Sequence, residues 1–161
     1  MINFYLQKTV KWENGKVVLI DQTKLPNKVS FIECNDYKQV AIAIKNLAVR
    51  GAPALATTAA LGLALAAKNS KAENKEELLR ELEVASKIIG DTRPTAINLF
   101  WAIQRIMGRA KSFKGNVKKM AEAVLEDAIC IAEEDIAVNH KLGKIGAEML
   151  NHGDIVLTHC K

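Results

Sequence analysis

The chain has 161 residues, of which 49% are hydrophobic and 25% charged, and its net charge is +5. This balance is that of an ordinary folded domain and excludes a chain that is disordered for want of apolar residues. The lysines are mixed with acidic residues and only 5% of the residues are aromatic, so the sequence predicts no nucleic-acid-binding surface. The longest apolar run, 52–67, is too short and too rich in Ala and Thr to predict a membrane span.

The cysteines Cys34, Cys130 and Cys160 are odd in number and widely spaced, and no Cys/His pair has the spacing of a zinc site. The sequence therefore predicts reduced thiols, no metal and a cytoplasmic location. Cys34 and Cys130 lie on apolar patterns and are predicted to belong to the core.

A small antiparallel sheet is predicted at the start of the chain. The segments Thr9–Trp12 and Lys16–Ile20 flank an Asn-Gly pair, which is a strong hairpin signal. Val29–Glu33 is predicted to add a third strand. Three short strands form a small sheet rather than the core of the whole chain.

Helices are predicted over most of the remaining sequence. Asp36 with Gln39, and Asn74 with Glu77, have the spacing of capping boxes at the starts of two helices. The other helical patterns are Ala54–Ala67, Leu99–Met107 and a long pattern over 116–150, in which we expect the acidic run 133–135 to be a solvated face. The predicted fold class is mostly α with a small N-terminal antiparallel β-sheet (α+β).

Two Arg–Pro segments precede helical patterns and suggest an anion site. Arg50-Gly51-Ala52-Pro53 places a guanidinium and a glycine just before a predicted helix, where free N–H groups and the helix dipole favour an anion. Arg93-Pro94 repeats this arrangement before the next apolar helix, with Asn98 either in the site or bonded to a neighbouring loop. The alternative, equally compatible with the spacing, is two separate solvated arginines.

The apolar run Ile155–Cys160 predicts a buried parallel strand at the end of the chain. Since no partner strands follow it, we expect domain boundaries at 1–152 for a helical domain and 153–161 for the first strand of a truncated Rossmann-like domain. Cys160, at a strand end near arginines, is either a reactive thiolate or a small buried hydrophobe.

The motifs 49–54, 92–102 and 157–160, in this order, resemble those of the methylthioribose-1-phosphate isomerases. That family shares a superfamily with regulatory subunits of the eukaryotic initiation guanine-nucleotide exchange factor and with ribose-1,5-bisphosphate isomerase. The resemblance implies conversion of an aldose 1-phosphate to a ketose 1-phosphate in methionine salvage, without a cofactor, by a homodimer of longer chains.

The resemblance also implies roles for individual residues. Arg50, Gly51 and Ala52 would bind the substrate phosphate, Arg93 would bind the sugar phosphate, and Cys160 would be the catalytic thiol. An aspartate partner belongs to the second half of the family chain, so we expect the isolated 161-residue chain to be an incomplete, inactive part. A regulatory exchange-factor-like subunit and a ribose-1,5-bisphosphate isomerase are the alternatives.

Overall fold

The computed structural model describes residues 8–157, which form a small sheet followed by a bundle of helices. The strands are β1 (Val10–Glu13), β2 (Lys16–Ile20) and β3 (Phe31–Cys34), and the helices are α1 (Tyr37–Lys45), α2 (Ala52–Asn69), α3 (Lys75–Gly90), α4 (Ile97–Ser112) and α5 (Val117–Ala147). The predicted mostly helical α+β class is confirmed.

The sheet has the order β1-β2-β3 with both neighbouring pairs antiparallel. Asn14 and Gly15 have φ values of 50° and 80°, as both central residues of a type I′ hairpin turn require. The third strand starts at Phe31, two residues later than predicted, because its partner β2 ends at Ile20 and the chain turns after Asp21.

Helix α2 is the centre of the fold. All of its residues from 55 to 67 are buried, and it packs against the other four helices and against β1 and β2. A helix that is apolar on every side requires such complete covering. Gly62 allows close packing, since a Cβ there would lie 3.0 Å from side-chain atoms of both Val40 and Ile89.

Side chains cap the N-termini of α1, α3 and α5. Asp36 accepts from the Lys38 and Gln39 N–H groups, Asn74 from Glu77 N–H at 2.9 Å, and Asn116 from Lys119 N–H at 2.9 Å. A capping box also contains a bond from the cap residue's own N–H group to the side chain three residues later. At both predicted boxes the donor of this second bond is shifted by one residue. The Gln39 and Glu77 side chains accept from the N–H groups of the residues just before the caps, 35 and 73.

Arg105 of α4 fastens the middle of α5. Its Nη2 atom lies 2.8 Å from both Asp127 Oδ1 and Glu134 Oε1, and its guanidinium lies over the Trp101 ring. This hydrogen bonding lowers the pKa of the Glu134 carboxyl below its usual value. Part of the acidic run 133–135 is therefore an interhelical contact, which corrects the prediction of a purely solvated face.

The strand predicted at the end of the chain is absent from 155–157, the part of it that the structure describes. These residues have no regular secondary structure, and Ile155 and Leu157 are almost fully exposed. A strand needs a hydrogen-bonding neighbour, and the described sheet ends at β3, far from this segment in sequence. Cys160 and the remainder of the predicted strand lie outside the described residues.

Candidate functional site at two helix N-termini

Helix α2 is preceded by a glycine with an unusual backbone conformation. Gly51 is the N-cap residue with φ 95° and ψ 131°, and no side chain of the described residues caps the helix. A Cβ built on Gly51 would meet no atom within 4 Å, so the space above it is open. Pro53 occupies the second helical position, where its missing N–H is harmless. The first-turn N–H groups of Ala52 and Ala54 therefore face an open surface. The positive end of the helix dipole lies at these same N–H groups.

Arg50, the residue before Gly51, is held by two hydrogen bonds to Gln22. Its Nη2 atom donates to the Gln22 carbonyl at 3.2 Å, and Gln22 Nε2 donates to the Arg50 carbonyl at 3.2 Å. Within residues 8–157, the buried Arg50 Nε atom has no hydrogen-bond partner. Arg50 thus ties the chain that leads into α2 to the segment at Gln22.

The N-terminus of α4 differs in detail from the prediction. The helix starts after the N-cap residue Ala96, so Pro94 lies in the preceding turn rather than at the helix start. That turn is closed by a hydrogen bond from Ala96 N–H to the Arg93 carbonyl at 3.0 Å. As in α2, no described side chain caps the helix, and the early N–H groups are left for another partner.

A cavity of about 370 Å³ joins the two uncapped N-termini. It is lined by Gly51, Ala52 and Leu55 on the α2 side, and by Arg93 and the segment 95–98 on the α4 side. Of the predicted site residues, Gly51, Ala52 and Arg93 therefore lie together, along with Asn98. Arg50 does not line this cavity, and Cys160 lies outside the described residues.

A second cavity, of about 480 Å³, is also lined by Gly51. Its lining includes Lys8 near β1, and Asp135 and His140 of α5. Sequence reasoning missed the last two as site candidates, because nothing local indicates that the middle of α5 crosses the N-terminus of α2. The acidic run 133–135 did not mark the site either, because α5 carries other charged residues along its whole length.

The cysteines within the described residues differ in environment. Cys34 is fully buried, and its burial raises the pKa of the thiol to about 11, which keeps it protonated and unreactive. Cys130 is exposed on α5, which corrects the prediction that it belongs to the core. Neither thiol lines a cavity beside Gly51.

Among residues 8–157 there is no cluster of three or more His, Cys, Asp or Glu side chains that could hold a metal ion. None of the helices described has the length and apolar character needed to cross a bilayer.

Comparison with known protein families places this site in context. Residues 48–161, which include both uncapped N-termini, match the model of the Initiation factor 2 subunit family. The chain belongs to this family.

Curated relatives in the Initiation factor 2 subunit family carry isomerase names. The chain is 42% identical over 152 residues to "Methylthioribose-1-phosphate isomerase" of Thermosipho africanus, an alignment that covers 94% of this chain and 44% of the relative. It is 46% identical over 154 residues to "Putative methylthioribose-1-phosphate isomerase" of Archaeoglobus fulgidus, covering 95% and 44%. The chain thus spans less than half the length of these relatives.

Two solved structures of the family match the fold. The crystal structure of 5-methylthioribose 1-phosphate isomerase from Pyrococcus horikoshii OT3 has a TM-score of 0.89 and 41% identity, over 92% of this chain and 42% of that chain. The structure of "translation initiation factor eIF-2B, subunit delta" from A. fulgidus has a TM-score of 0.88 and 45% identity, over 96% and 45%. The two names describe different functions on one fold.

Proposed function

We propose that this chain supplies the phosphate-binding part of an aldose–ketose isomerase that converts 5-methylthioribose 1-phosphate to 5-methylthioribulose 1-phosphate in methionine salvage. The observation that carries the proposal is the cavity shared by Gly51, Ala52 and Arg93. Two uncapped helix N-termini and a guanidinium on one cavity are suited to a phosphate dianion. The isomerase names of relatives at 42–46% identity support the same substrate.

The proposed roles follow from the chemistry of the groups. The N–H groups at the start of α2 and the Arg93 guanidinium hold the phosphate on C1, so that the sugar cannot lose it during the reaction. Arg50, fixed by Gln22, adds positive charge close to the same helix end. These contacts orient C1 and C2 of the sugar relative to the groups that move the hydrogen.

The reaction is an internal redox change that needs no external oxidant. The bond from C1 to the ring oxygen breaks, the hydrogen on C2 moves to C1, and the C2 hydroxyl becomes a carbonyl as its proton passes to the former ring oxygen. We assign the catalytic thiol to Cys160, on the resemblance to the isomerases. By that resemblance its aspartate partner belongs to the part of the relatives that this chain does not span.

The test is turnover of methylthioribose 1-phosphate by two polypeptides: the 161-residue chain, and a chimera that joins it to the remaining part of the T. africanus relative. We expect turnover by the chimera and little or none by the chain alone. In the chimera, Cys160→Ser should abolish turnover without preventing sugar-phosphate binding. A folded chimera that neither binds nor converts the substrate would contradict the proposed function.

A second candidate is a regulatory subunit that acts through protein contacts. It is favoured by the match to the A. fulgidus structure reported as an initiation-factor subunit. The free N–H groups at the shared cavity argue for the isomerase, because a role confined to protein contacts gives no reason to leave two helix N-termini uncapped. Stable association of the chimera with an initiation-factor subunit, together with no sugar-phosphate binding, would favour the second candidate.

A further inference from the structure

We infer that an apolar hollow beside the phosphate cavity receives the methylsulfanyl group on C5 of the substrate and selects against a second phosphate there. The inference rests on the proposed function and adds the part of the site that distinguishes between sugar phosphates. The hollow, of about 220 Å³, lies between the first two turns of α2, the start of α4 and the middle of α5. Its lining includes Pro53, Ala56, Trp101, Ile131, Val138 and Asp135.

The position of the hollow suits a substrate anchored at C1. Asn98 lines both the hollow and the phosphate cavity, so the two adjoin. Ala56 is four residues beyond Ala52 on α2, which is about 6 Å along the helix axis. That separation suits C1 and C5 substituents of one pentose, since the phosphate would lie at the first turn of α2 and the C5 group at the second.

The walls of the hollow suit a thioether. Ala56 and Ile131 are buried, whereas Trp101 and Val138 are 48% and 57% exposed and leave apolar surface uncovered. A methylsulfanyl group has roughly the volume of one or two water molecules, each about 30 Å³, so it fits. Thioether sulfur also makes favourable contacts with aromatic ring edges, and Trp101 presents such a ring.

The charges around the hollow disfavour a second phosphate. Arg105, the nearby cation, is engaged by Asp127 and Glu134. Asp135 lines the hollow and accepts a hydrogen bond from Asn139 Nδ2 at 3.1 Å, and no described Lys, Arg or His forms a salt bridge with it. A phosphate on C5 would therefore meet an uncompensated carboxylate and apolar walls.

The experiment measures, by calorimetry on the 161-residue chain, the affinities of methylthioribose 1-phosphate, ribose 1-phosphate and ribose 1,5-bisphosphate. Val138→Asn places a polar group in the hollow. Leu142→Asn is the matched control, because Leu142 lies one turn further along α5, is similarly exposed at 62%, and does not line the hollow.

We expect the chain to bind methylthioribose 1-phosphate about 10-fold more tightly than ribose 1-phosphate, the usual discrimination of an apolar pocket for a group of this size. Val138→Asn should reduce this ratio to about 2-fold, and Leu142→Asn should leave it unchanged. Ribose 1,5-bisphosphate should bind no more tightly than ribose 1-phosphate, and Asp135→Asn should improve its binding.

Four results would count against the inference. Equal effects of the two asparagine variants, or no preference for the thioether, would overturn it while leaving the proposed isomerase intact. Tighter binding of the bisphosphate would also overturn it and would favour a ribose-1,5-bisphosphate substrate. Failure of all three compounds to bind would refute the phosphate site itself, and with it both proposals.

Discussion

The five helices fall into two groups according to how their N-termini are satisfied. Helices α1, α3 and α5 have an Asp or Asn cap whose side chain accepts first-turn N–H bonds. Helices α2 and α4 begin at Gly51 and Ala96, and within residues 8–157 no side chain caps them. The two uncapped N-termini are also the two that meet at one cavity. The fold thus satisfies first-turn N–H groups with its own side chains at three helices, and at the other two we propose that a phosphate does so.

The largest effect should come from Arg93, the cation at the uncapped pair. Arg93→Ala removes a charge-assisted bond to phosphate worth about 1.5–3 kcal/mol, so sugar-phosphate affinity should fall by roughly 10–100-fold. Calorimetric titration measures the loss. Arg80→Ala on the exposed surface of α3 is the control of equal charge change. If both variants weaken binding equally, phosphate affinity depends only on the general positive charge of the protein, and Arg93 makes no specific contact.

The next effect concerns the backbone at the start of α2. Gly51→Ala introduces a Cβ at φ 95° and should cost about 1–2 kcal/mol of unfolding free energy, although no atom obstructs it. Gly143→Ala lies at an exposed position of α5, where a Cβ also meets nothing. It should instead raise the unfolding free energy by about 0.5–1 kcal/mol. Urea unfolding of both variants separates backbone strain from crowding. A neutral Gly51→Ala would mean that the turn is not constrained.

Removing the cap of one helix and adding a cap to another should change the free energy of unfolding and the phosphate affinity independently. Asn74→Ala removes the cap of α3 and should cost about 1 kcal/mol without affecting phosphate binding. Ala96→Asp adds a cap to α4 and should stabilise the fold by several tenths of a kcal/mol, yet weaken phosphate binding, because its carboxylate competes for the same N–H groups. Thermal unfolding and calorimetry on the two variants check these opposite outcomes. Unchanged phosphate affinity in Ala96→Asp would show that the α4 N-terminus does not take part.

The smallest effect concerns Asp21, which precedes the Gln22 that holds Arg50. Hydrogen bonds from Thr23 lower the pKa of the Asp21 carboxyl. A folded-state pKa below the unfolded value gives stability that is present above about pH 4 and is lost as the pH falls through the folded value. Asp21→Asn should therefore cost less than about 1 kcal/mol at pH 7, and progressively less as the pH falls through the folded pKa of Asp21. A loss that is constant across this range would assign the effect to packing rather than to charge.

The capped helices could be predicted from sequence because a cap is local. Asp36 and Asn74 precede their helices by one residue, and the sequence alone indicates the bonds that they make. The hairpin at Asn14-Gly15 was predictable for the same reason, since two adjacent residues define its backbone.

The arrangement of the uncapped N-termini depended on contacts distant in sequence. Arg50 is fixed by Gln22, 28 residues earlier, and Asp135 reaches both the second cavity and the apolar hollow through the packing of α5. The sequence pattern indicated Arg50 and Arg93 but not the direction of each guanidinium, and only Arg93 lines the shared cavity. The strand expected over 155–160 illustrates the same limit, because its formation depends on neighbours and not on its own apolar residues.

The most direct test of the central claim is an NMR titration of the ¹⁵N-labelled chain with methylthioribose 1-phosphate. We expect the amides of Ala52, Ala54, Ile97 and Asn98, at the uncapped N-termini, to shift together with a single dissociation constant. The first-turn amides of the capped helices, at 38, 77 and 119, should stay in place. Equal shifts at capped and uncapped helices, or shifts confined to residues that do not line the shared cavity, would contradict the account.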